Sequence, residues 1–472
     1  MTTLRFHGSA AVLLLPLALF VAVTARLFIS EAAFDLTGLA AAGVLTLFSG
    51  SLLAKAPSEY WKAAVRGASS ELTGTVVLIL IASGIFSAMM KASGVADGLV
   101  FLGGMLHLTG HAFTVFVLLA SSLMAAATGS SIGTLFAAMP IFFPAGVALG
   151  ADPAMLAGAV LSGAIFGDNL APVSDVTVIS SVTQRFRDGT PADIAGVVRT
   201  RLPYAMTALA VSMPVYAFMG ASRPVSEAAL SGDASALLML VPVAVLIAVA
   251  VRTRDVLMAI SAGAVTGTAT GLLIGRLSFA TIFAADDGRL SGFLISGISN
   301  VSPIILLCVT LFAFTGIVRE AGVPDMMAKA LEAGSAGRPS ALRTELFLSA
   351  ATLVVTTLFA AVTSASVALV GSLTDDIGRA SNVHPYRRSH ILSGLANSLP
   401  VLMPFSAFVL ITMAAVSGLE GAAAVTPFTL MTAAFYPIAL FLVFGFMVLT
   451  GTGRMMETPE PEAAEAKTAT AL

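Results

Sequence analysis

The sequence predicts an all-α polytopic membrane protein. Its expected build is two inverted-topology repeats of about five transmembrane helices each plus a re-entrant hairpin, with discontinuous helices at mid-membrane. Three observations predict it. Of 472 residues, 57% are apolar and 11% charged, where a soluble domain carries roughly 25% charged. Apolar stretches long enough to cross a bilayer, about 20 residues, recur along the chain. Short motifs of the first half return in the second at a nearly constant offset.

Taken in order, the expected spans are 10–28, 34–54, 73–92, 154–183, 199–220, 236–252, 256–275, 299–318, 388–414 and 427–450, those at 154–183 and 388–414 being interrupted. Two more stretches, 112–149 and 343–378, break near their middle at Thr128-Gly129-Ser130-Ser131 and Thr363-Ser364-Ala365-Ser366. These read as hairpins. The first span has the look of a secretory leader, with Arg5 ahead and Val23-Thr24-Ala25 behind. Its counterpart in the second half argues for a retained span instead. Trp61 lies in a short amphipathic stretch with Lys62 and Arg66, expected on the cytoplasmic surface. Residues 455–472 are Glu/Ala/Pro-rich and read as a disordered cytoplasmic tail.

The halves divide as 1–225 and 226–454. Phe86 to Asp97 resembles Phe314 to Asp325 at an offset of 228, and Thr128 pairs with Thr363 at 235. Leu161-Ser162-Gly163 matches Leu392-Ser393-Gly394 at 231, and Pro172 and Ser174 fall on Pro404 and Ser406 at 232. An odd number of spans per half inserts the second half upside down. Lys and Arg favour cytoplasmic loops. With both termini inside, 19 of the 24 lie in inner segments and 5 in outer ones, which supports that topology. Charge does not separate re-entrant hairpins from spanning ones.

Several classes drop out. The net charge of −2 leaves no basic footprint for nucleic acid, and the single cysteine, Cys308, forms neither a disulfide nor a thiolate cage. No Walker A lysine motif supports drive by ATP. No metalloprotease motif or nucleophile–base pair supports an enzyme. His107 and His111 are spaced by four, but without Glu or Cys partners an interfacial location fits them better than a metal. Gly263, Gly267 and Gly271 suit close helix packing.

The chemistry concentrates in Phe166-Gly167-Asp168-Asn169-Leu170-Ala171-Pro172-Val173-Ser174-Asp175-Val176-Thr177. A carboxylate at mid-bilayer costs a few kcal/mol and persists where it faces a cavity, a partner or a cation. Pro172 has no N–H for the carbonyl of Asp168, so the helix is expected to unwind and free backbone carbonyls as hard oxygen ligands. Asp168 then sits at the negative end of one half-helix, where the dipole works against a further negative charge. Asp175 sits at the positive start of the next, which favours its anion. One acid able to take a proton beside one that stays ionised suits exchange of a proton for a cation. The blander alternative has Ser174 and Asp175 merely capping a helix and Asp168 paired to a distant cation, yet no Lys or Arg is evident near mid-span. The second-half counterpart, around Asn397-Ser398-Leu399-Pro400 to Pro404-Phe405-Ser406, offers neutral ligands in Asn397, Ser398 and Ser406. The hairpin tips add the hydroxyls of Thr128, Ser130, Ser131, Thr363, Ser364 and Ser366, which serve equally well as small residues for close packing.

Gly167 to Thr177 resembles the Gly-Asp-x-Leu-Ser-Pro-x-Ser-Asp-Thr-Thr signature of the NhaC-type sodium/proton antiporter family. Thr128-Gly129-Ser130-Ser131-Ile132-Gly133-Thr134 is similar to its Thr-Gly-Thr-Ser-x-Gly-Thr segment. The likeness runs from about Phe34 to Leu449. It implies the ion transporter superfamily, a bacterial inner membrane, and exchange of sodium, with lithium as a further cation, for protons. Asp168, Ser174, Asp175 and Thr177 carry over as the ion site, with sodium on Asp168 and Asp175 and Asn169 beside them. Ala171, Val176 and Asn169 depart from residues common in the family, and two lost hydroxyls bear on selectivity. Some relatives exchange malate and lactate, so a cation-coupled carrier of a small organic anion or amino acid is the alternative. The partners are then small inorganic cations and lipid, not nucleic acid, with no cofactor beyond the transported ions. A homodimer stays open.

Overall fold

The structure is a computed structural model and describes residues 4–8, 10–27, 36–108, 110–221, 233–253, 255–286, 289–322 and 340–457. Phe34, Arg223, Asp325, Lys329, Arg338, most of the 221–235 loop and nearly all of the expected tail lie outside them.

The first half holds α1 (Leu14–Ala25), α2 (Leu36–Leu53), α3 (Pro57–Ala68), α4 (Glu71–Ala92), α5 (Val95–Met105), α6 (Gly110–Thr128), α7 (Ser131–Ala148), α8 (Pro153–Leu170), α9 (Asp175–Val182) and α10 (Ile194–Met219). The second holds α11 (Val241–Thr253), α12 (Val256–Leu273), α13 (Phe279–Ile282), α14 (Phe293–Glu320), α15 (Ala341–Leu358), α16 (Thr363–Ala380), α17 (Pro385–Ala396), α18 (Ala407–Val416), α19 (Pro427–Ala433) and α20 (Phe435–Thr450). A two-stranded hairpin, β1 (Ala284–Asp286) and β2 (Arg289–Ser291), precedes α14. Among the described residues, 9 helices are long and apolar enough to span, or up to 11 with the two bent pairs counted. The bends are 54° between α17 and α18, and 52° between α19 and α20. The protein is therefore a polytopic helical membrane protein. Large apolar side chains such as Leu123, Phe218, Val265, Leu273 and Phe446 stand exposed on its outer helices, where only lipid covers them without cost.

Local chemistry sets the helix ends. Asp152 accepts from the amide of Met155 at 3.0 Å and Pro153 opens α8; Asp193 caps α10 through Gly196 at 2.6 Å. An oxygen acceptor at the N-cap satisfies a donor that the first turn leaves free. α5 is a helix that hydropathy did not mark, too short at 11 residues to cross a bilayer. His107 and His111 fall between α5 and the first turn of α6, both exposed.

α8 lies at the centre, buried from Met155 to Leu170 and packed on α6, α7, α10, α19 and α20. A Cβ at Gly167 would lie 2.2 Å from the Cβ of Ala125, so only glycine lets α8 approach α6 this closely. The halves interleave: α9 packs between α16 and α17, and α7 packs against α18. Pro153 and Pro385, 232 apart, each open a helix, and Ser174 and Ser406 each stand as the N-cap of the next. The two hairpin tips correspond at that same spacing, with Gly129 at φ 69° and Ala361 at φ 58°. The offset of 235 that pairs Thr128 with Thr363 is thus three residues long for the turn itself, because the second tip makes its left-handed turn with two alanines, Ala360 and Ala361.

Bonds between distant loops fall into two sets. One joins Leu4 to Glu320, Lys55 to Arg5, Arg66 to Glu320, Arg187 to Asn382 and Glu457, and Tyr386 to Asp193. The other joins Gly110 to Leu149, Asp152 to Gly220, Lys91 to Gly418, and Arg276 to Asp97 and Asp233.

Candidate functional site

Pro172 breaks the chain as its chemistry requires. α8 closes with the Ala171 amide on the Gly167 carbonyl at 2.7 Å, and α9 begins at Asp175. Asp168 occupies the last turn of α8, buried, with one oxygen accepting the Ser174 hydroxyl at 2.9 Å. Its other oxygen is buried with no partner. Ser174 therefore does not cap α9 through its side chain; its hydroxyl is spent on the carboxylate. Buried polar atoms are nearly always satisfied, so a lone carboxylate oxygen fits a proton or a hard cation.

A cavity of about 170 Å³ opens on Asp168. The chain brings to it Asp175, Ser130 and Ser131 from the first tip, and Thr363 and Ser364 from the second. Asp175 makes no hydrogen bond or ion pair among the described residues and is exposed to the cavity. These oxygens come from both halves. Lys, Arg and His are absent from the lining among the described residues. Four lining residues, Phe312, Thr315, Phe359 and Val362, also line a second depression that reaches Arg66, Arg319 and Glu320. The cavity and this depression are therefore neighbours, separated by those four residues.

The other expected ligands lie elsewhere. Thr128 donates to the Met124 carbonyl at 2.9 Å, Ser366 to Val362 at 2.9 Å and Ser398 to Leu395 at 2.7 Å. Ser406 accepts from the Val409 amide at 3.1 Å and so caps α18. Asn169 donates to the Tyr436 hydroxyl at 3.2 Å and accepts from Ser393 at 3.3 Å. Asn397 is buried with both amide atoms unpartnered, outside the cavity lining.

The freed carbonyls are not open to an ion, contrary to the expectation from Pro172. The Thr177 hydroxyl donates to the carbonyl of Asp168 at 3.4 Å. The carbonyl of Asn169 accepts from Arg201 at 2.7 Å. Arg201 is fully buried in α10 and also reaches Thr177, Ser180, Ser389 and Ser393. A cation therefore does lie deep in the fold, correcting the reading that none stands near mid-span. It sat in the sequence as one of two arginines at the start of α10, with no local signal to separate it from Arg199. Arg387 and Arg388 are likewise buried, on Glu345 at 2.9 Å and Asp375 at 2.7 Å. Without these three the inner count of basic residues falls from 19 to 16, still against 5 outside.

Comparison with known proteins bears on this geometry. A family profile described as the Na+/H+ antiporter family matches residues 3–221. The chain is 33% identical over 158 residues to a malate-2H(+)/Na(+)-lactate antiporter of Bacillus subtilis, covering 34% of this chain and 32% of that one. It is 28% identical over 280 residues to the Na(+)/H(+) antiporter NhaC of Alkalihalophilus pseudofirmus, covering 54% and 58%. The chain thus spans between a third and three-fifths of the length of these relatives. The solved Alcanivorax borkumensis YdaH transporter aligns at a TM-score of 0.40 and 12% identity, over 83% of this chain and 88% of that one. The matched region contains the first hairpin tip, Asp168, Asp175 and Arg201, so it is the part of the chain that is similar to the Na+/H+ antiporter family.

Proposed function

We propose that the protein is a secondary antiporter that exchanges sodium, or lithium, for protons across a bacterial inner membrane, with Asp168 carrying either ion in turn. The observation that carries this reading is the unpartnered, buried oxygen of Asp168, a residue that lines a cavity holding a second carboxylate and, among the described residues, no basic side chain. A hard cation takes oxygen ligands, and Asp175, Ser130, Ser131, Thr363 and Ser364 supply them from both halves. Ser174 steadies the Asp168 anion. Thr177 and Asn169 act behind it, holding the break. Asn397, Ser398, Ser406, Thr128 and Ser366 shape the tips and the second break. An organic anion of the malate or lactate kind, or an amino acid, finds no basic group in this cavity, since Arg201 is spent on carbonyls and hydroxyls.

The same reading takes the chain as two inverted repeats, 1–225 and 226–454, with both termini cytoplasmic. It is supported by the two sets of loop bonds, each of which falls on one of the two sides that the charge count assigns. On that assignment the depression beside the cavity, at Arg66 and Glu320, lies on the cytoplasmic side. Whether the 19- and 18-residue arms of the first tip re-enter or span does not alter the sides.

Two experiments test this. Sodium added to purified protein in weak buffer should release protons, because linked ligands displace each other reciprocally. Asp168→Asn should remove that release and the antiport. Normal exchange by the variant would take Asp168 out of the mechanism. With Cys308 replaced by Ser, Ala234→Cys should label with an impermeant thiol reagent from outside the cell and Ala380→Cys should not. Labelling of both from one side would refute the inverted arrangement.

A further inference from the structure

The cavity at Asp168 is larger than its proposed ion requires. Its volume is about 170 Å³, room for roughly five waters at about 30 Å³ each. An apolar cavity of about 150 Å³ accommodates benzene. Six phenylalanines line this one, among them Phe20, Phe312, Phe359 and Phe405. The same lining carries coordinating oxygens, at Asp168 and Asp175 and the hydroxyls of the two tips. A small inorganic cation uses those oxygens and leaves the aromatic rings without a role.

We propose that this cavity also binds a small primary alkylammonium ion, its charge on Asp168 and Asp175 and against the phenylalanine ring faces, and its chain along the apolar lining. The inference rests on the reading of those two acids as the cation site. An anion is disfavoured by the two carboxylates and the absence of any basic lining residue among the described residues. A neutral molecule can donate a hydrogen bond to the unpartnered Asp168 oxygen but leaves the two carboxylate charges unbalanced. A cation with an apolar body answers both the acids and the rings, because ammonium groups are attracted to aromatic faces as well as to carboxylates.

The test uses the full chain in detergent, where permeation of the amine across a bilayer plays no part. Radioactive sodium bound to the protein is displaced with n-butylammonium, with butyrate and n-butanol as charge-reversed and neutral controls. Butylammonium should displace sodium and the two controls should not. Phe405→Leu and, independently, Phe312→Leu keep the bulk but lose the ring. Each should raise the ratio of the butylammonium to the sodium dissociation constant by about two- to thirty-fold, the range of a cation–ring contact. Wild-type protein that binds sodium but ignores a hundred-fold excess of butylammonium overturns the inference and leaves the sodium site standing. Displacement by butyrate, or a ratio unmoved in both leucine variants, overturns it too. Failure of the wild-type protein to bind sodium at all removes the underlying site instead.

Discussion

Ser174→Ala separates a carboxylate ligand from a helix cap. In the structure the Ser174 hydroxyl donates to Asp168 at 2.9 Å, and its side chain makes no bond to the amides of α9. The other Asp168 oxygen already lacks a close partner, so the variant removes the shortest hydrogen bond to the carboxylate. A hydrogen bond to a charged group contributes about 1.5–3 kcal/mol. That stabilisation belongs to the ionised form, the form proposed to hold sodium, and at about 1.4 kcal/mol per tenfold its loss should weaken apparent sodium affinity by up to about 10- to 150-fold. The assay is sodium-dependent proton movement in proteoliposomes, read as the half-saturating sodium concentration, beside direct sodium binding in detergent. Ser406→Ala is the internal control, 232 residues on. Its hydroxyl accepts from the Val409 amide at 3.1 Å and donates to the Val401 carbonyl at 2.6 Å. Losing it should cost about 1 kcal/mol of stability, as a lost cap does, and leave affinity alone. A Ser174→Ala protein with sodium affinity within twofold of wild type would refute the assignment of its hydroxyl to the Asp168 anion.

Three further outcomes follow from the packing. Arg201→Leu should lower the melting temperature in detergent, since it removes the charged donor of the Asn169 carbonyl and of the Ser389 and Ser393 hydroxyls, a hydrogen bond from a charged group contributing about 1.5–3 kcal/mol; Arg201→Lys should recover part of it, and an unchanged melt would deny Arg201 its role at the break. Glu345→Ala strips the partner from buried Arg387 and from Arg454, a loss of about 3–5 kcal/mol visible in denaturant titration, whereas Glu345→Leu combined with Arg387→Leu should restore most of it. Ala361→Gly should raise the melting temperature slightly: a left-handed alanine at φ 58° costs about 1–2 kcal/mol, which outweighs the roughly 0.5–1 kcal/mol of added chain entropy, and a lower melt would show the turn to be unstrained.

Much of the membrane architecture was legible locally. A span is announced by its own 20 residues, because each pays its own cost of leaving water. The break at Pro172 was legible for the same reason: a missing N–H acts on the carbonyl four residues back and on nothing further away. Asp168 stood out because an acid in apolar sequence demands an explanation, and Asp175 because it follows the break. Matched residues in the two halves were legible as a pattern, though the two tips correspond at 232 and not 235, because Ala360 and Ala361 make a turn that glycine makes in the first.

Sequence by itself therefore determined where helices form, where they break and which acid needs a partner. Only the tertiary structure decided what answers each freed group. Arg201 lies 32 residues beyond Asn169 and reached it from another helix, and Ser389 and Ser393 joined it from the other half. Arg387 and Arg388 read as loop charges until Glu345 and Asp375 came within reach. Hydropathy and propensity are sums over neighbours in the chain, whereas the burial of a charge depends on partners that packing alone brings together. The convergence of Asp168, Asp175 and the two hairpin tips on one cavity is of that second kind: helix breaks mark where polar groups can emerge, and the interleaving of α7 with α18 and of α9 with α16 and α17 sets which of them meet.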